Sequence, residues 1–525
     1  MPGQNQGTQQ DTRAETLAER QRRERVDLRR VWEPIEASEF GFDQARHLLW
    51  RAGFGGTPGQ ISAIASMGPE RAVDYLLETP DAPDAAVEAD LFDRNIMRPY
   101  TEEERRIAAQ ARRARDEDAL ANLRAMRQQA QVWDRRQMRE IQRWWLTRMI
   151  ETPRPLEEKM TLFWHGHFPT SYRTIEDSYH MFLQNQRFRK HALGNYGQLM
   201  HEIIRDPAML AYLDNNDSRK GRPNENLARE LMELFSMGVG NYSESDIKEG
   251  ARALTGYTFV DDEFVLNREN HDDGRKRIFG RTGEYDGDGF VTAILAQRAT
   301  SVYMTRKLYE FFVGGLPEEP REYSPAQGAV LDEMQSTFVQ KRYEVKPLLR
   351  ELLISRHFYS EAVRGQRIKS PAELVVGGVR ELRTPVRDLS ALLDAMELMG
   401  QSLFFPPSVA GWAGGRAWIN TSTMFVRQNT MAFLLTGRKP NGPDALADMQ
   451  PYEPEAIMAE LREALGAGDD EHTVRSVLRY TLGRTPSHAI SSLKDVLERR
   501  GGARDGEALR DMLLLVAAMP EYQLC

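Results

Sequence analysis

Within the stretch YLDNNDSRKGRPNENLARELMELFSMGVGNY, running from Tyr212 to Tyr242, two carboxylates and an amide fall at helical spacing: Asn226, Glu230 and Glu233. Pro223 and Asn224 offer a helix start and Gly238 and Gly240 a stop, so the spacing predicts a helix from about Glu225 to Met237. At roughly 100° per residue, Leu227, Leu231, Leu234 and Phe235 share one side. The polar trio then lies along an adjoining edge, with Glu225 and Arg229 on a flanking one. Carboxylates bordering a packed face either coordinate a metal or move protons, or else form a salt-bridged buttress in which Arg229 neutralises a neighbour.

A second candidate is PLEEKMTLFWHGHFPTS, where one glycine separates His165 from His167. Residues two apart on a continuous helix point about 200° apart, whereas in an extended or helix-terminal segment both can face one way. Gly166 and Pro169 favour the second case, and HxH is then a metal-ligand pair. His271 and Asp272 in NHDDGRKRIFG, with Lys276 close behind, form a third polar group in a turn-rich segment. Further on, Trp412 and Trp418 stand in a Pro/Gly-rich loop before a helix capped near Asn420 or Thr421, with Arg416 nearby. Two such rings either stack a sugar or clamp a partner, or they plug the core.

The elements that must position these groups are helical. Apolar residues recur at helical period almost throughout and alternating strands are scarce, so the expected class is all-α: a large multi-helical domain with long irregular loops and a minor β-hairpin near Ile278 to Val291. Residues 1–35 read as a polar tail and a charged helix, 36–437 as the core domain, 438–453 as a Pro/Gly linker and 454–525 as a smaller helical region. A long helix is expected over Glu102 to Ile150, exposed early and docked late.

With 525 residues, 41% hydrophobic and 28% charged, the chain can bury a large core. Its only cysteine, Cys525, rules out an internal disulfide framework and a zinc–thiolate cluster, so any divalent metal must use His, Asp, Glu or Asn. A net charge of −8 argues against broad nucleic-acid binding. No membrane span is expected, and the polar N-terminus has no apolar leader segment, which places the chain as given in the cytoplasm, or in the periplasm if a leader is missing.

Taken in order, RHLLWRAGFG, PLEEKMTLFWHGHF, RDPAMLAYLDN, PNENLARELMELFSMGVGNY, ARALTGY, HDDGRKRIFG, IKSPAELVVGGVREL and FPPSVAGWAGGRAWIN resemble the bacterial family catalogued as domain of unknown function 1800, over about Phe40 to Asn429. That resemblance implies that Asn224 to Glu233, His165/His167 and His271/Asp272 are site components, without supplying their chemistry. It also implies a neighbour from another uncharacterised family, number 1501, whose members resemble sulfatase- or phosphatase-like enzymes.

Two functions follow as expectations. In the first, a metal-assisted hydrolase, His165, His167, His271 and Asp272 hold a divalent ion and Glu230 and Glu233 supply ligand and general base. Asn226, Arg229, Lys276, Trp412, Trp418 and Asn420 then hold an anionic or hydroxyl-rich substrate. In the second, the chain is a helical partner or chaperone-like module for the neighbouring enzyme, and the same motifs fix irregular loops.

Overall fold

A computed structural model describes residues 28, 30–78, 91–439 and 450–525. The expected N-terminal charged helix and the linker lie largely outside the described residues. Within them the architecture is all-α, with 23 α-helices and two small antiparallel hairpins. No described helix is long and apolar enough to cross a membrane.

Local chemistry explains most boundaries. Asn420 caps the Thr421–Thr436 helix reciprocally: its side chain accepts from Thr423 N–H at 2.9 Å, and Thr423 Oγ1 accepts from Asn420 N–H at 2.9 Å. Ser243 and Asp246 do the same for Glu244–Ala253. The expected long helix is instead two, Glu102–Ala114 and Glu117–Glu151. Arg115 takes a left-handed conformation, φ 54°, and Asp116 recaps the chain by accepting from Ala119 N–H.

The hairpin expected near Ile278 pairs Lys276–Ile278 with Arg281–Gly283. It stops short of Val291 because Asp286 caps a new helix, Gly287–Leu295, by accepting from Gly289 N–H. A second hairpin, absent from the sequence reading, pairs Tyr257–Val260 with Glu263–Leu266 across Asp261 and Asp262.

One apolar core runs from Ile35 to Tyr522. The C-terminal helices Glu455–Leu465, Asp470–Leu482, Ser487–Arg499 and Gly506–Ala518 contribute Ile457, Val477, Leu497 and Leu513 to it. They are tied to the N-terminal part where Tyr480 donates to Gly56 O at 3.1 Å and Arg46 donates to the carbonyls of Tyr480 and Thr481.

At the centre lies the Pro155–His167 helix, buried on nearly every face. Such a helix has no solvent-facing edge for its charges, so each must be matched inside. Glu158 accepts from Arg189 at 2.6 and 3.0 Å, from Trp145 Nε1 at 2.9 Å and from Arg148. Lys159, on the next turn position, donates to Gly53 O at 2.8 Å and pairs with Glu373, which also holds Arg367. Burial pushes the Glu158 carboxyl upward, but the charges of Arg189 and Arg148 outweigh it and hold the group below its ordinary value.

A carboxyl depressed in this way stabilises the fold above its unfolded-state pKa and loses that contribution as pH falls through the folded value. Glu158→Gln, which strands two buried guanidinium groups, is expected to cost about 3–5 kcal/mol in urea unfolding at pH 7 and to blunt the protein's sensitivity to acid. A loss below about 1 kcal/mol would mean that this cluster does not hold the central helix.

Candidate functional site

The central polar helix starts where expected and then changes character. Asn224 Oδ1 accepts from Asn226 N–H at 2.9 Å, and an α-helix runs over Asn226–Met232. From Glu233 to Met237 the chain winds as a π-helix, closed by Gly238 N–H donating to Glu233 O at 3.0 Å. A π turn loosens the ordinary ladder and leaves carbonyls that need other donors. Ser236 Oγ donates to Leu231 O, Tyr303 to Leu234 O at 2.7 Å, and Tyr196 to Phe235 O at 2.7 Å. His167 Nε2 lies 2.8 Å from the same Phe235 carbonyl. The widened turn is therefore locked by four side chains, three of them from other elements.

This junction carries the two carboxylates. Glu233 accepts from the Tyr242 hydroxyl. Glu230, one turn earlier and half-buried, has an Oε2 that is buried and without a partner. Burial raises its pKa above the ordinary value, the charge of Glu233 adds to the rise, and Arg229 opposes it. Arg229 is tied instead to Glu244 at 3.0 Å and Glu225 at 3.3 Å on the flanking edge. The phenol of Tyr212 is pushed upward by burial and by the Glu230 charge. Asn226 is exposed at the start of the same helix.

The histidines expected as metal ligands are placed elsewhere and engaged by backbone. His165 and His167 do lie in a helix-terminal segment, but they diverge. Phe404 N–H donates to His165 Nε2 at 3.1 Å, while His167 turns to the π segment. Burial lowers both to about 3, so both are neutral imidazoles. A loop crosses closely here: a Cβ on Gly411 would lie 2.2 Å from Gly166 O, so position 411 requires glycine, whereas a Cβ on Gly166 would meet only the Trp412 ring at 3.5 Å. His271 Nδ1 is 2.7 Å from Thr255 O, and Asp272 pairs with Arg252 at 2.8 Å. Among the described residues, no group of three or more His, Cys, Asp or Glu is arranged to hold a metal ion.

The substrate-contact candidates beyond the helix are likewise engaged in local structure. Lys276 donates to the carbonyls of Asp272 and Gly274 at 2.5 and 3.0 Å. Trp418 is buried, and Trp412 packs with its ring 5.3 Å from that of His165. Asn420 is occupied by the helix cap.

A family model described as "Protein of unknown function (DUF1800)" matches residues 47–524. The chain belongs to that family. No curated protein matches it, and no solved structure does. The DUF1800 match continues past Asn429, through the C-terminal helices that the apolar core also includes.

Sequence reading missed Tyr242 and Tyr303 at the DUF1800 polar helix. The only signal for Tyr242 is its place directly after the glycine stop, and Tyr303 is remote in sequence.

Because the Glu230 carboxyl is raised, the folded state binds its proton more tightly than the unfolded state. The associated stability is present at low pH and is lost as pH rises through the folded pKa. Glu230→Gln at pH 7 is therefore expected to leave the thermal midpoint unchanged or to raise stability by up to about 1 kcal/mol, after allowance for solvent screening of a half-exposed group. A melting point several degrees lower than wild type would instead make Glu230 a structural buttress.

Proposed function

We propose that the Glu230–Glu233 edge is a proton-transferring site of a hydrolase-like activity on a hydroxyl-rich substrate. The observation that supports this reading is the buried, unpartnered Glu230 Oε2 on a helix whose geometry is fixed from behind by Tyr196, Tyr303 and His167. A structural carboxylate in such a place would be expected to have a donor. In the proposed step Glu230 takes a proton from water as the water oxygen bonds to the electrophilic centre, and then delivers that proton to the departing oxygen. Its raised pKa suits both halves of the exchange. The Glu233 carboxyl, fixed by Tyr242, helps to keep the Glu230 pKa high.

Of the two substrate classes expected, the hydroxyl-rich one fits better. Two neighbouring carboxylates repel an anion, and Arg229 is already matched by Glu225 and Glu244. The exposed amide of Asn226 can serve sugar-like hydroxyls as donor and acceptor. Against a panel of p-nitrophenyl glycosides and acyl esters, Glu230→Gln is expected to lower kcat/KM by about 100-fold or more, with Glu244→Gln close to wild type. Equal turnover by wild type and Glu230→Gln would refute the assignment.

The partner-module reading has separate support. Between Leu389–Leu398 and Thr421–Thr436 runs a groove of about 410 Å³, at which Leu398 and Phe425 are 68% and 60% exposed. Large apolar side chains standing in a groove favour protein contact. On this reading, replacing Leu398 and Phe425 together by Ser abolishes sedimentation of a complex with a co-produced family-1501 neighbour. An unchanged complex would dismiss this face.

A further inference from the structure

His180 stands on the first turn of the Ser178–Lys190 helix and is 7% exposed. A carboxylate faces each of its ring nitrogens. Nε2 lies 3.2 Å from Asp262 Oδ1 and 3.0 Å from Asp261 O, at the tip of the 257–266 hairpin, and Nδ1 lies 3.8 Å from Asp177 Oδ2. A neutral imidazole has one N–H and one lone pair, so it serves one carboxylate and turns a lone pair on the other. The imidazolium donates toward both. Burial pushes this histidine down, yet Asp262 and Asp177 outweigh it and hold the group above its ordinary value.

The surrounding charges balance only with that proton in place. Asp262 Oδ2 is taken by Arg94 at 2.8 Å, which leaves Oδ1 to His180. Asp177 Oδ1 caps the helix by accepting from Tyr179 N–H and His180 N–H at 3.1 Å, which leaves Oδ2. Two carboxylates thus meet two cations, Arg94 and His180. Charged groups on the other elements packed here are spent elsewhere: Asp134 on Ser178 and Tyr172, Glu176 on Gln131, Arg173 on Glu397, and Glu158 on Arg189 and Arg148. Asp93, Asp261 and Glu263 are exposed, and the Pro207–Tyr212 helix carries neither carboxylate nor cation.

The hairpin has separate anchors at its root and its tip. At the root Tyr257 is buried, its carbonyl accepts from Asn215 Nδ2 at 2.9 Å, and its hydroxyl accepts from Gly287 N–H at 3.0 Å. At the tip the polar anchors are the Asp261 carbonyl and the Asp262 carboxylate, with the Phe259 ring set edge-on against His180 at 5.2 Å. We infer that His180 is a proton-operated latch: protonated, it holds the hairpin tip on the start of the Ser178–Lys190 helix, and without its proton it lets the tip open while the root stays closed. A histidine raised in this way contributes its stability in full below its unfolded-state value and loses it as pH rises through the folded one. The latch is therefore closed in mild acid and opens as pH climbs past the ordinary imidazole value of 6.5. It does not rest on the Glu230 reading.

Hydrogen exchange of the full chain, followed by mass spectrometry and corrected for the intrinsic pH dependence of amide exchange, reads the latch directly. From about pH 5.5 to about pH 9, peptides covering 257–266 are expected to lose protection about threefold or more, while peptides from the Gly287–Leu295 helix keep theirs. His180→Gln keeps a donor without the titrating charge, so the pH step should vanish and the tip should stay open throughout. Arg94→Gln removes the other cation from Asp262, so the step should persist and move to higher pH. In the carbon–proton NMR spectrum of the histidine-labelled chain, the resonance that His180→Gln removes should titrate above 6.5. Should His180→Gln fail to fold, the wild-type profile and Arg94→Gln still decide. Tip protection in the wild-type chain that does not change with pH, a step that survives His180→Gln, a step lost in Arg94→Gln, or a His180 titration at or below 6.5 would overturn the inference.

Discussion

The structure depends on the fact that the Pro155–His167 helix is buried on nearly every face while carrying Glu158, Lys159, His165 and His167. In water those groups need nothing from the protein, but inside it each must find a partner or cost several kcal/mol, on the order of the whole margin of stability. Besides the Gly53 carbonyl, their partners come from five directions. Arg148 and Trp145 come from the preceding helix, and Arg189 from Ser178–Lys190. Glu373 comes from Pro371–Leu382, the Phe404 amide from a loop, and the Phe235 carbonyl from the π segment. Apolar packing alone would tolerate several registers of these helices. Directional pairing of two adjacent opposite charges to separate neighbours tolerates far fewer.

The same helix positions the candidate site. His167 reaches from its last turn to the carbonyl that the π winding frees, and Tyr196 and Tyr303 close on the same turn. A widened turn on its own is a weak point in a helix. Held by three outside donors it becomes a fixed bend, after which Glu233 meets Tyr242 and Glu230 is left with an unmatched oxygen. The histidine read as a ligand is better understood as a strut, neutral because it is buried, which lets it share a carbonyl with a phenol without repelling the charges nearby.

Much of this was legible in the sequence because it is written locally. Helical period, the Asn420 cap and the Asn224 start depend on residues within a few positions of one another, and all appear as expected. Local signals were also available and unused: Asp116 as a cap splitting the long helix, and the aromatic alternation of YTFVDDEFVL as a hairpin. The rest was not local. PLEEK at a helix start reads as an ordinary solvated acidic turn, and nothing nearby announces that Arg189 and Glu373 will enclose it. The HGH spacing suggests ligand geometry, yet its two histidines turn apart to the Phe404 amide and the Phe235 carbonyl, both far away in the chain.

An all-α chain of this size also has many helix ends to bury, and each end leaves carbonyls without intrahelical donors. Long basic side chains meet that need here. Arg51 donates to Phe312 O and Val313 O at 3.1 and 2.8 Å, Arg46 to Tyr480 O and Thr481 O, and Arg387 to Leu434 O at 3.1 Å. Arginine is suited to this because it presents five donors in a rigid plane and no acceptor, so one residue can serve several carbonyls at once. Backbone carbonyls at a helix C-terminus carry partial negative charge, so they compensate a guanidinium partly without a carboxylate. Cations consequently outnumber anions among the buried residues. It follows that the solvent-facing part of the described residues is more acidic than the described residues taken together, because part of the positive charge is spent on closing helix ends.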